Sequence, residues 1–164
     1  MKILGIDPGL ATVGYGIIEY IGNKYNAIDY GIIETKNTYD EPTRLFQIYK
    51  SLSKLIEKYE PNEVAIEELF FNKNIRTAIQ VAQARGVEIL VCMEKNLEVY
   101  EYTPLQIKQA VVGYGRAEKR QVQEMVKMLL NLKDIPRPDD AADGLAIAIT
   151  HAHSRKHKEA FKIK

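Results

Sequence analysis

Residues 1–34 hold three short segments of strand-forming residues whose connections are too short to carry the chain across a sheet. KILGI (2–6) stops at Asp7-Pro8-Gly9, TVGYGIIEY (12–20) follows, and KYNAIDYGIIE (24–34) begins after the turn signal Gly22-Asn23. A parallel return needs a dozen or more residues, so these three segments predict an antiparallel meander. Beyond it the pattern changes. Pro42 opens a stretch in which Leu45, Ile48, Leu52, Leu55 and Ile56 recur at helical steps, and Pro61-Asn62 stops it. EVAIE (63–67) reads as a strand, 74–95 as a long helix and EVYEY (98–102) as a fifth strand. Helices follow from Thr103-Pro104 to Val112, over 118–132, and from near Asp139 to His153, with Gly113, Gly115, Pro136 and Pro138 as breaks. Three antiparallel strands followed by strand–helix alternation predict an α/β fold, a mixed sheet with helices on its faces.

The 164 residues suit one domain, expected over 1–154, with a basic and flexible tail over 155–164. Hydrophobic residues at 46% supply a core and exclude wholesale disorder. No apolar run reaches the ~18 residues of a membrane span. The opening MKILGIDPG reads as a strand and not as a secretory signal. Cys92 is the only cysteine, which excludes an internal disulfide and a multi-cysteine metal site. A cytoplasmic protein is the expectation. The net charge of +1 hides an asymmetry: residues 1–70 hold 7 Lys and Arg against 11 Asp and Glu, residues 71–164 hold 16 against 11. The basic half can meet a polyanion, although a solvated surface would have the same composition.

The helix at 74–95 is apolar on more than one side, with Ile75, Ile79, Ala82, Ile89 and Met93 joined by Val81 and Val91. Such a helix is either deeply buried or shared with a second subunit. Cys92 reads as a small buried apolar residue. His151, His153 and His157 read as a helix end and not a metal site, with His151 the one placed to brace a ligand from behind.

Four acidic residues stand at strand ends or a helix start. Asp7 ends the first strand, Glu67 ends the fourth, and Asp140 and Asp143 lie three apart within PDDAADGLAIAIT. An i, i+3 pair projects from one helical face, and strand ends can meet a helix N-terminus at one edge of a mixed sheet. An all-oxygen set suits a hard cation, Mg²⁺ or Mn²⁺, and clustered carboxylates favour two of them, which can clamp the attacking and leaving oxygens of a phosphodiester. Each residue also has a purely structural reading: Asp7 as a turn residue, Asp139 or Asp140 as an N-cap, Asp143 on an exposed face. Glu67 ends a buried strand and needs a partner. Strand alternation lets only one of Glu67 and Glu68 face the site.

These segments resemble the RuvC family of Holliday junction resolvases. The likeness runs through GIDPGLATVGYG (5–16), AIEELFFNKN (65–74), QARGV (83–87), YTPLQIKQAVVGYGRAEKRQVQEMV (102–126) and DDAADGLAIAITHAH (139–153), in order along nearly the whole chain. The resemblance implies an RNase H-like fold with a five-stranded mixed sheet flanked by helices. It implies a homodimer that binds a four-way DNA junction and makes two symmetric nicks in recombination and repair, with RuvA and RuvB as branch-migration partners. It implies four metal-binding carboxylates at Asp7, Glu67, Asp140 and Asp143. Phe70 matches an aromatic that stacks on unpaired junction bases, a role that Phe71 could share. Lys108 and Lys119 match lysines near the scissile phosphate, and Arg120 competes with Lys119 for that place. Residues 104–133 hold 6 Lys and Arg against 2 Asp and Glu, as a phosphate-facing surface would.

Other classes fit less well. An actin-like ATPase shares the D-x-G turn but needs two such domains. A junction binder without catalysis does not need the full acidic set. A nuclease of the same fold acting on RNA or hybrids does not account for the aromatic loop.

Overall fold

The computed structural model describes residues 1–69 and 75–163. Phe70 and Phe71, expected to contact junction bases, lie outside the described residues. The strands are β1 (Lys2–Asp7), β2 (Thr12–Ile21), β3 (Lys24–Glu34), β4 (Glu63–Glu67) and β5 (Val99–Tyr102). The helices are α1 (Glu41–Tyr59), α2 (Ile75–Glu94), α3 (Pro104–Val112), α4 (Lys119–Leu129) and α5 (Asp139–Ser154), and a 3₁₀ turn follows over Arg155–Phe161. The five strands form one sheet in the order β3-β2-β1-β4-β5. β1 to β3 are the antiparallel meander, and β4 and β5 add parallel to β1. The mixed sheet anticipated from the sequence is therefore present. α4 is shorter than expected, ending at Leu129.

Local chemistry sets the breaks. Gly22 and Asn23 both take positive φ, 54° and 66°, the backbone of a two-residue hairpin turn. Asp40 caps α1 by accepting from the Thr43 amide at 2.9 Å. Thr103 and Gln106 form a reciprocal capping box on α3.

Strand alternation divides the core. Leu4, Ile6, Val64 and Ile66 face a cluster with Ile48 and Leu52 of α1 and Val91 and Cys92 of α2. Ile3, Ala65, Tyr100 and Tyr102 face the other side, against α3, α4 and α5. α1 and α2 thus cover one face, and α3 to α5 the other. Glu63, Ala65 and Glu67 share the α5 side of β4.

α5 lies directly on the sheet because glycines face it. A Cβ on Gly16 would stand 2.4 Å from the Leu145 nitrogen, and one on Gly144 2.5 Å from the Tyr15 carbonyl carbon. Only hydrogens fit in that gap, and the helix start is held within reach of the strand ends.

His151 lies at the far end of α5, fully buried, and does not brace the acidic cluster. Its Nδ1 is 2.8 Å from the Tyr102 hydroxyl and its Nε2 2.8 Å from Glu63 Oε2. Lys158, in the segment expected to be a flexible tail, donates to the other Glu63 oxygen, and the Ile163 amide donates to the Val99 carbonyl at 3.1 Å. Burial pushes the Glu63 carboxyl up, but the hydrogen bonds from Lys158 and His151 outweigh it and hold it low. Burial lowers the His151 pKa more than Glu63 raises it, so the imidazole is neutral at pH 7.

On α2, Glu88 is fully buried and neither carboxyl oxygen has a well-aligned hydrogen-bond partner among the described residues, the Gly9 amide being a nearby donor. Burial pushes it up to about 8, with the Gly9 amide and Arg85 offsetting part of the rise, so it is largely protonated at neutral pH. No helix among the described residues is long and apolar enough to cross a membrane.

Candidate active site

β1 and β4 are parallel neighbours in register, Ile6 beside Ile66, so their last residues, Asp7 and Glu67, stand side by side. Alternation along EVAIE turns Glu67, with Ala65 and Glu63, toward α5. Glu67 lines the cleft and Glu68 does not, which settles the geometric ambiguity in the sequence. Asp140 and Asp143 enter from the first turns of α5. Pro138 is the N-cap residue and makes no side-chain cap bond, so neither Asp139 nor Asp140 serves as the cap. One carboxylate oxygen from each of Asp7, Asp140 and Asp143 lies within 4.8 Å of the others. Glu67 joins them through Asp7, with which it is in hydrogen-bonding reach.

The cleft has a volume of about 390 Å³. It is lined by the four carboxylates and by the apolar residues Pro104, Ile107, Val122, Ala146 and Ile147. Two cations reach in, Lys108 from α3 and Lys119 from the start of α4. Lys119 Nζ donates to Asp143 Oδ2 at 2.8 Å and lies 3.8 Å from Asp139 Oδ2. Arg120, one residue on, is exposed and does not line the cleft.

The electrostatics are those of a crowded anion cluster. Burial, and then the charges of Glu67, Asp143 and Asp140, push the Asp7 carboxyl up to about 9. Burial also raises Glu67, while Lys119 and Lys108 draw it down. Asp143 is raised by burial, against the hydrogen bond from Lys119. Burial disfavours the Lys119 ammonium, but the bond to Asp143 and the neighbouring carboxylates outweigh it and hold the pKa above its usual value. Such a set is relieved by a cation. Oxygen ligands without sulfur or nitrogen fit a hard divalent ion, and the residues present therefore suit the metal expected from the sequence.

One supporting residue escaped the sequence reading. Arg85 of α2 donates from Nε to the Glu67 carbonyl at 3.2 Å and pairs with Glu101 at 2.7 Å, tying the end of β4 to the helix behind it. It lies in the QARGV segment, but nothing in the sequence alone says which backbone it reaches.

The whole chain is similar to known proteins. A family model described as crossover junction endodeoxyribonuclease RuvC matches residues 3–151. A crossover junction endodeoxyribonuclease RuvC from Alkaliphilus metalliredigens is 58% identical over 164 residues, covering all of both chains. The structure of Thermus thermophilus RuvC superposes with a TM-score of 0.91 at 34% identity, covering 99% of this chain and all of that one. T. thermophilus RuvC in complex with a Holliday junction substrate gives the same TM-score at 32% identity and the same coverage.

Proposed function

Because the chain belongs to the RuvC family of crossover junction endodeoxyribonucleases, we propose that Asp7, Glu67, Asp140 and Asp143 hold the metal with which this Holliday junction resolvase cuts DNA. The observation that carries the assignment is the convergence of Asp7, Asp140 and Asp143 within 4.8 Å, with Glu67 beside Asp7. Two Mg²⁺ ions per site suit four carboxylates, and Mn²⁺ would substitute. A divalent cation there supplies Lewis acidity toward the phosphodiester and makes water a better nucleophile.

The chain's own residues do the rest. Asp7, Glu67, Asp140 and Asp143 would all be deprotonated when they hold metal, so metal affinity falls as pH falls. Glu67 is fixed by the Arg85 bond to its carbonyl. Lys119, oriented by Asp143, presents an ammonium at the cleft where charge develops on the phosphate or the leaving oxygen. Lys108 does so from the opposite helix, and Arg120 contacts a phosphate farther along the strand. Apolar lining residues such as Pro104 and Ile107 pack on the sugar next to the scissile bond. The products are a 5′ phosphate and a 3′ hydroxyl. Phe70, or Phe71 beside it, stacks on junction bases in this reading, which carries with it a cytoplasmic location.

Paired cuts need two sites related by two-fold symmetry. Ile75, Ile79, Leu90 and Met93 are 76%, 53%, 61% and 58% exposed. At about 100° per residue they fall within one stripe of α2, with Gly86 among them, opposite the buried face of Ala84, Glu88 and Val91. That stripe is the proposed homodimer contact. RuvA and RuvB, the branch-migration partners, would engage the same junction from outside the dimer.

The test is a labelled four-way junction with Mg²⁺ and with EDTA, using linear duplex and an RNA–DNA hybrid as competitors. Metal-dependent symmetric nicks in the junction support the reading. Tight junction binding without a cut, across several junction sequences and with Mn²⁺, would overturn it in favour of an inactive binder.

A further inference from the structure

The surface around the acidic cleft carries cations held in no salt bridge among the described residues. Among the described residues Lys108, Arg116 and Arg120 have no salt-bridge partner, whereas Lys119 has two. The helices that bring Lys108 and Lys119 to the cleft are joined by the loop 113–118. In that loop Tyr114 is 57% exposed, between Gly113, at φ 81°, and Gly115. Its ring stacks on no other ring and its hydroxyl makes no hydrogen bond among the described residues.

The loop packs against the start of α3, the helix that brings Lys108 to the cleft. A Cβ on Gly115 would stand 3.1 Å from Leu105 Cγ and 3.5 Å from Gln109 Oε1, so the loop is seated on the first turns of α3. Leu105 follows Pro104, which lines the cleft, and is itself 59% exposed. Leu105, Lys108 and Gln109 share one helical face at i, i+3 and i+4. A lone exposed apolar side chain is ordinary. An aromatic ring and a leucine set among unpaired cations, at the rim of a cleft that cuts a phosphodiester, are the composition of a base platform. The cations take phosphates and the ring takes the face of a base.

We propose that Tyr114, on the loop seated against Leu105, packs on an unstacked base of the junction next to the scissile phosphate and biases this enzyme toward branched over linear DNA. The inference rests on the cleft being the cleavage site. A fully stacked duplex offers no base face to the ring, whereas a branch point does.

The chain contains no tryptophan, so Tyr114→Trp places a single indole at the platform. With Ca²⁺ in place of Mg²⁺, adding a four-way junction should quench its emission, and adding linear duplex should quench it much less. The control is Ile21→Trp, 57% exposed at the β2–β3 turn, at the opposite end of the sheet from Asp7. It should be insensitive to both DNAs. Tyr114→Ala should leave thermal unfolding unchanged and weaken junction binding about tenfold, with linear-duplex binding unaffected. Equal quenching at both tryptophan positions, or an unchanged junction-to-duplex ratio for Tyr114→Ala, overturns the proposal. The parent protein run alongside separates the two levels. A parent that fails to cut junctions refutes the cleft assignment, and a parent that cuts while Tyr114 is inert refutes the platform alone.

Discussion

Gly14 of β2 faces the start of α5 so closely that a Cβ on it would stand 2.0 Å from the Asp140 carbonyl oxygen. Asp7 pairs with Gly14 across the β1–β2 ladder. The missing side chain on one strand thus sets how near Asp140 and Asp143 come to the carboxylate on the next. Gly14→Ala must push α5 away from the sheet, at a cost of about 1–3 kcal/mol in overpacking. We expect a lower melting temperature and a loss of Mg²⁺-dependent cleavage that persists well below it. Full cleavage at 25 °C would show that the gap is not what aligns the site.

Asp7 makes the stability of the metal-free protein depend on pH. Burial and three neighbouring carboxylates hold its pKa near 9, and burial also raises Glu67 and Asp143. Between about pH 4 and 9 the folded chain keeps a proton that the unfolded chain has lost, so stability falls as pH rises. In EDTA the melting temperature should drop from pH 7 to 9, and saturating Mg²⁺ should remove the drop. Asp7→Asn should flatten the EDTA profile, abolish cleavage and leave junction binding largely intact. A parental cleavage rate in that variant excludes Asp7 as a ligand.

Leu90 tests the α2 stripe. Leu90→Glu puts a charge where a two-fold contact would bury it, and the exposed site does not endanger the monomer fold. Light scattering should show the parent as a dimer and the variant as a monomer at micromolar concentration. The variant should then nick junctions singly. A parent that is already monomeric removes the stripe from consideration.

Lys158 supports the opposite end of α5. Lys158→Ala leaves the buried Glu63 carboxylate facing only a neutral imidazole, which should cost about 1–3 kcal/mol. Thermal unfolding should register the loss, while cleavage at 25 °C and its Mg²⁺ dependence stay at parental levels. A fall in cleavage without a fall in stability would mean that this end of the helix reaches the site.

EVAIE shows where the sequence was ambiguous. Its alternation says that one of Glu67 and Glu68 turns inward, but both faces of a sheet covered by helices are apolar, and the pattern cannot say which face holds the site. The packing answers it, because Glu63 and Glu67 both lie under α5. His151 reads from the sequence as part of a helix end, with bracing a ligand from behind as the alternative, and the length of α5 carries it to the far end, where Tyr102 and Glu63 satisfy it. Arg85 and Glu88 could not be assigned, since a polar residue on an amphipathic helix does not announce what it faces.

The sequence by itself determined the strands, the helices and their order, because short connections and apolar periodicity act over a few residues. It also showed the chemical kind of the candidate site, since four carboxylates with no cysteine or nearby histidine suit a hard cation if they bind one. The tertiary structure alone decided how those carboxylates meet. Asp7 and Asp140 lie 133 positions apart, and their separation in space is set by a parallel strand register and by glycines that let a helix rest on a sheet, contacts that no local pattern encodes.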